Sequence, residues 1–172
     1  MNSIAITGFA QSPKRIIKKL GNEPVYYIDS ISVDKSQLQK YDPNEIAGLT
    51  VFKGKEAVDI LGEDGKDGVV YIETKLFAKK RFWNFFRLKS AEYLDLVPTF
   101  DSDSTIQYIL NKRILKDNYE GTLASIDDNV FKEIKILPKQ VLIDEYGILD
   151  KEYGVLIISE APENLYKGNK KF

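Results

Sequence analysis

Residues 42–54, Asp42-Pro-Asn-Glu-Ile-Ala-Gly-Leu-Thr-Val-Phe-Lys-Gly54, and residues 127–136, Asp127-Asp-Asn-Val-Phe-Lys-Glu-Ile-Lys-Ile136, follow one pattern. Each opens on an aspartate able to cap a turn, places an asparagine two residues later, and continues as an apolar alternation of strand type. In the first stretch Pro43 suits the first helical position and Glu45 lies three residues past the cap, so a brief helical turn should precede the strand that runs to Lys53.

The match extends outward in both directions. Residues 106–160 replay residues 24–74, a self-similarity to be settled before function. Tyr26 meets Tyr108, Asp29 meets Asn111 and Val33 meets Leu115. After a three-residue insertion, Leu38, Asp42, Asn44, Ile46, Leu49 and Val51 fall on Leu123, Asp127, Asn129, Phe131, Ile134 and Ile136. Ala57, Val58 and Gly62 meet Leu142, Ile143 and Gly147, and with one more inserted residue Gly68-Val69-Val70 is expected on Gly154-Val155-Leu156. Turn glycines, strand alternation and helix caps recur in one order, which points to duplication.

Within the first copy, Val25–Ile28 is rich in β-forming side chains, and Asp29-Ser30 turns it into a second short strand through Val33. Lys55 to Leu61 reads as a helix with Ala57, Val58 and Leu61 inward and Gly62 as its stop. Gly68-Val-Val-Tyr-Ile-Glu-Thr-Lys75 has little polar alternation at its start, as a central strand buried on both faces requires. Pro138 should open the corresponding late helix of the second copy. A helix precedes each copy: one from Ser12-Pro13 to Gly21, whose Lys14, Arg15, Lys18 and Lys19 read as a solvated face, and an aromatic one after Lys75. The expectation is an α+β chain of two repeated ββαβαβ units with mixed sheets and flanking helices, divided at 1–76 and 77–172, with a polar tail from Pro162.

The stretch 42–54 resembles the plug domain of TonB-dependent outer-membrane receptors, which usually reads Asn-Pro-x-Asp-Ile-Glu-x-Ile-x-Val-Leu-Lys-Gly. Ala57 to Lys75 continues the likeness, ending in Gly-Val-Val-Tyr-Ile-Glu-Thr-Lys75 where that family commonly ends in Gly-Val-Ile-x-Ile-x-Thr-Lys. Pro24 to Asp29 is similar to the family's hairpin, with Ser30 in place of its glycine. The resemblance covers residues 24–75, and 106–160 through the repeat. It implies a mixed sheet with flanking helices, binding or assembly work, and a periplasmic or envelope-associated location of the Bacteroidetes type. Transport is not implied, because the surrounding barrel needs many tilted strands of about ten residues, which 172 residues cannot supply.

Composition narrows the chemistry. The chain has 25 basic and 26 acidic residues, so no global field draws it to nucleic acid or an anionic membrane. No apolar run approaches the roughly 18 residues of a membrane-spanning helix, and the first residues lack the apolar core of a secretory signal. Histidine and cysteine are both absent, which removes the usual general base, zinc ligands and activated thiol. The loop from Asp59 to Gly68 clusters oxygens but lacks calcium-loop spacing, and its glycines follow a helix where a phosphate cradle needs them to precede one. The expectation is therefore no catalytic residues, no metal and no cofactor.

The remaining candidate is Lys75 to Lys89, which mixes six basic residues with five aromatic ones. Ala78, Phe82, Phe85 and Phe86 recur at helical spacing, so a helix burying that stripe is the commoner explanation; a partner surface is the rival. Trp83 and Phe86 cannot easily share one narrow stripe with Phe82 and Phe85, so Phe82, Trp83, Phe86 and Arg87 form the candidate surface for a protein partner. Asp101-Ser-Asp-Ser104 reads as a solvated turn. The reading is a non-catalytic binding or assembly module; its alternative is a small ligand-binding protein or carboxylate and tyrosine enzyme with a pocket between the halves.

Overall fold

The computed structural model describes residues 4–6 and 20–161. The expected helix from Pro13 and the tail from Pro162 lie outside them. The chain divides into two compact units between Ala78 and Lys79, two residues beyond the expected 76/77 division and inside one helix.

The first unit holds strands β1 (Ile4–Ile6), β2 (Val25–Ile28), β3 (Ile31–Val33), β4 (Ile46–Phe52) and β5 (Val69–Thr74), in the sheet order β1-β4-β5-β2-β3. Helices α1 (Lys35–Leu38) and α2 (Lys55–Leu61) connect them. β5 is central, as its apolar run requires: it pairs parallel with β2 and antiparallel with β4. Its Val70 and Ile72 join Tyr26, Ile28, Ile46, Leu49 and Val51 in one buried cluster. The helical turn expected after Asp42 is a single tight turn, Pro43–Glu45, with the Asp42 side chain accepting from Asn44 N–H. β1 has no counterpart in the sequence reading; it adds antiparallel to β4, Ile4 facing Val51 and Ile6 facing Leu49.

The second unit runs through helix α3 (Lys75–Lys89, begun in the first), helix α4 (Ala91–Leu96), strands β6 (Ile106–Leu110) and β7 (Arg113–Ile114), helix α5 (Glu120–Ala124), strand β8 (Phe131–Pro138), helix α6 (Lys139–Tyr146) and strand β9 (Tyr153–Ser159). Its sheet order is β7-β6-β9-β8, the first sheet without the strand beyond β4. The mixed α+β architecture in two repeated units is thus present, with strand, strand, helix, strand, helix, strand in each.

Register shows how closely the copies agree. Ile46, Leu49 and Val51 face Thr74, Ile72 and Val70; Phe131, Ile134 and Ile136 face Ser159, Ile157 and Val155. Both long strands carry a bulge at the same place, between Ile46 and Gly48 and between Phe131 and Glu133. The registers of Val70 opposite Val51 and of Val155 opposite Ile136 correct the expected insertion before the last strand: Val155 takes the position of Val70, and Gly154 that of Val69.

One local device recurs at both hairpins. Asp29-Ser30 and Asn111-Lys112 all have positive φ, the turn that fits a two-residue hairpin. The first residue of each pair then reaches the end of the parallel strand. Asp29 Oδ1 accepts from Thr74 N–H at 2.8 Å and its Oδ2 from the Thr74 hydroxyl at 2.7 Å. Asn111 Oδ1 accepts from Ser159 N–H at 3.0 Å while its Nδ2 donates to Ser159 C=O at 2.7 Å.

Replacing Asp29 separates the two contributions. Asp29→Ala loses both bonds and strains a left-handed position, an expected loss of about 2–3 kcal/mol; Asp29→Gly keeps the backbone easy and should cost about 1–2 kcal/mol. Urea unfolding measures the difference, and amide exchange in β2 and β5 should quicken with it. Equal losses would show that backbone strain contributes nothing there.

Candidate functional site

Helix α3 carries the residues singled out from sequence, and their surroundings divide them. Thr74 caps its start, accepting from Phe77 N–H at 3.2 Å. Phe82 and Phe86 are closed to solvent inside the second unit, which corrects their place in the candidate partner surface. Phe82 packs edge-on against Tyr108 at 5.5 Å between centroids, and Phe86 meets Tyr93 at 6.0 Å and Phe131 at 6.2 Å. The reason is helical spacing: Ala78, Phe82 and Phe86 lie one turn apart and all three are buried.

Trp83 and Arg87 lie one turn apart beside this stripe and are half-buried. The indole N–H donates to Val97 C=O at 2.8 Å, and the Arg87 guanidinium lies over the indole ring at 4.8 Å while its Nε donates to Asn84 Oδ1 at 3.0 Å. These contacts hold both side chains against their own unit. Leu88, one residue on, is 78% exposed.

Beneath α3 lies a polar cluster that sequence reasoning missed. Asp103, read as part of a solvated turn, has a side chain only 6% exposed, and its Oδ1 accepts from Lys79 Nζ at 2.6 Å. Its Oδ2 has no hydrogen-bond partner among the described residues. The Tyr93 and Tyr108 hydroxyls lie 3.1 Å apart and share a hydrogen bond. Burial pushes the phenols of Tyr93, Tyr108 and Tyr119 well above their ordinary range, and the Asp103 charge raises all three further. A signal for the cluster existed: Lys79 precedes Phe82 and Phe86 by three and seven residues, and a lysine inside an apolar stripe needs a buried partner. Chemically the cluster holds protons in place. A phenol kept neutral by desolvation is a poor base near neutral pH, and the Tyr93 and Tyr108 hydroxyls tie helix α4 to strand β6.

Among the described residues there is no acidic group of three or more placed to hold a metal, and no helix long and apolar enough to cross a membrane.

The second surface feature is a sheet margin. β8 pairs only with β9 among the described residues, whereas its counterpart β4 is flanked on both sides. Ile134 and Ile136 are half-buried where Leu49 and Val51 are buried in a sheet one strand wider. Ala47, Gly48 and Thr50 of the covered strand are replaced by Lys132, Glu133 and Lys135. Lys135 Nζ lies 3.0 Å from Glu133 Oε2, and Lys132 Nζ lies 2.9 Å from Glu160 Oε1. That charge change was readable in the aligned copies, but its meaning depends on which strand lies at the margin.

Comparison with protein-family models, curated proteins and solved structures finds no match to the chain.

The helix makes a stability prediction. Phe82→Ala or Phe86→Ala should destabilise by about 3–5 kcal/mol, and Leu88→Ala should stay within about 0.5 kcal/mol, as thermal melts will show. Small losses for the phenylalanines would mean that they are not core.

The tyrosines make a pH prediction. Unfolded, each releases its proton near 10; folded, each holds it to higher pH, so the unfolded state binds fewer protons above that value and stability falls as pH rises. Denaturant midpoints should therefore decline from about pH 10 upward. Tyr108→Phe should shallow that decline, and an unchanged slope would remove Tyr108 from the cause.

Proposed function

We propose that this chain is a non-catalytic binding or assembly module of two plug-like units that contacts a protein partner, in the cell envelope as its resemblance to plug domains implies. The observation that carries the reading is the β8 margin, an eight-residue strand with an unpaired side among the described residues, in a fold whose other copy covers the same side. Unpaired strand N–H and C=O groups are a template for another chain, and extended recognition of this kind needs no reactive group. Carboxylate and tyrosine chemistry draws no support from the most shifted groups, because Tyr93, Tyr108 and Tyr119 are held protonated by burial. Of the four helical residues singled out, Trp83 and Arg87 keep part of their surface open to contact, though each is tied to its own unit.

A photoreactive amino acid at Lys135, expressed in the native cell, tests this. A discrete cross-linked species is expected there, and none from the same residue at exposed Lys35 on α1. No cross-link at Lys135 would overturn the reading.

A further inference from the structure

Resting on that reading, we infer that the partner at the β8 margin is a second copy of this chain, whose own β8 lies antiparallel against the first about a two-fold axis at Ile134.

Among the described residues there is no strand for this place at the position where the first copy finds one. By the offset that takes Tyr26 to Tyr108, Ile4–Ile6 falls on Phe86–Leu88, which lie inside α3 with Phe86 in the core. The second unit has put helix where the first has its covering strand, and among the described residues no other strand pairs with this side of β8.

The side chains of β8 select the occupant. Ile134 and Ile136 face the same side as Ile157 and Val155, their buried neighbours on β9; Glu133 and Lys135 lie on the opposite side, across from Ile158 and Leu156. An antiparallel partner continues the apolar face where Ile134, in the middle of the strand, meets an apolar residue, which removes every register that sets Ile134 across from a charge. Centring on Glu133 is among these, since it sets Ile134 against Lys132 and also opposes two carboxylates; of the self-pairings left, one centred on Lys135 opposes two ammonium groups. Centring on Ile136 sets Lys135 against Leu137. Centring on Ile134 puts isoleucine against isoleucine and Glu133 of each copy against Lys135 of the other, and brings Ile136 toward Lys132, the residue that the bulge leaves without a partner on β9. That arrangement is self-complementary, as a two-fold interface requires, and its charge pairs join the Glu133–Lys135 pairs already present in each copy.

The charges also set the strength. A single strand margin lies at the small end of specific interfaces, so association in the micromolar range or weaker is expected. Two cross-strand charge pairs converted from attraction to repulsion should weaken it about tenfold or more.

Sedimentation of the full chain over a concentration series decides the matter. The wild type should approach twice the monomer mass as concentration rises. Glu133→Lys and Lys135→Glu change exposed side chains and should each keep the far-ultraviolet spectrum while losing self-association by about tenfold or more. Mixed in equal amounts, the two variants should associate again, because the lysines of one strand then face the glutamates of the other. A wild type that stays monomeric at every concentration, single variants that associate as well as wild type, or a mixture that fails to recover would each overturn self-pairing. A monomeric wild type whose Lys135 cross-links to a different polypeptide would sink only the second copy as partner. No cross-link at that position would sink the binding reading as well.

Discussion

The fold depends on a bond between residues far apart in sequence: the side chain at the hairpin turn, Asp29 or Asn111, grips the end of the central strand at Thr74 or Ser159. Asp and Asn are the non-glycine residues that best tolerate the left-handed backbone of this turn, and their short polar arms can reach a neighbouring strand. The grip fixes where the parallel strand ends and thereby its register with β2 or β6. In the first copy the same threonine hydroxyl also caps α3, so one side chain ends a strand and starts a helix.

Once the register is set in this way, the two sheets must resemble each other through their common strands, bulge included. They differ only where the clamp has no reach. The aspartate turns at Asp42 and Asp127 deliver both long strands alike, each accepting from the N–H two residues on at 2.9 Å. Beyond those strands the first unit adds β1, while the second spends the equivalent sequence on an aromatic helix and gains a core of Phe82, Phe86, Tyr93 and Tyr108. The cost of that core is the buried Asp103, whose charge Lys79 offsets at 2.6 Å.

These causes explain what could be read from sequence. Duplication, fold class and strand order of connection were legible because turn residues, caps and alternation are local signals. The misplaced insertion arose from two glycines that serve different ends. Gly68 has φ +105°, a backbone need; Gly154 sits in a strand where a Cβ would come within 2.7 Å of the Leu142 side chain, a need for space. Matching them as equivalents moved the strand by one residue. β1 was invisible because three residues carry no period, and Asp103 because a run of Asp and Ser looks the same whether solvated or enclosed. Of the four proposed surface residues, Phe82 and Phe86 obey the helical spacing that also predicts burial, so the sequence held both readings at once and packing chose between them.

The charges on β8 then need a cause of their own. Proteins commonly blunt an open strand margin with lysine, shorten it, or bend it away, and any of these would suffice if the aim were only to repel. β8 is not short, and its bulge is shared with the covered strand, so neither device is specific to it. Its charges are of both signs and alternate with isoleucine, so centring on Glu133 or Lys135 opposes like charges, whereas centring on Ile134 pairs Glu133 with Lys135. A margin that merely avoids contact gains nothing from Glu133, whereas one that admits a single register needs it.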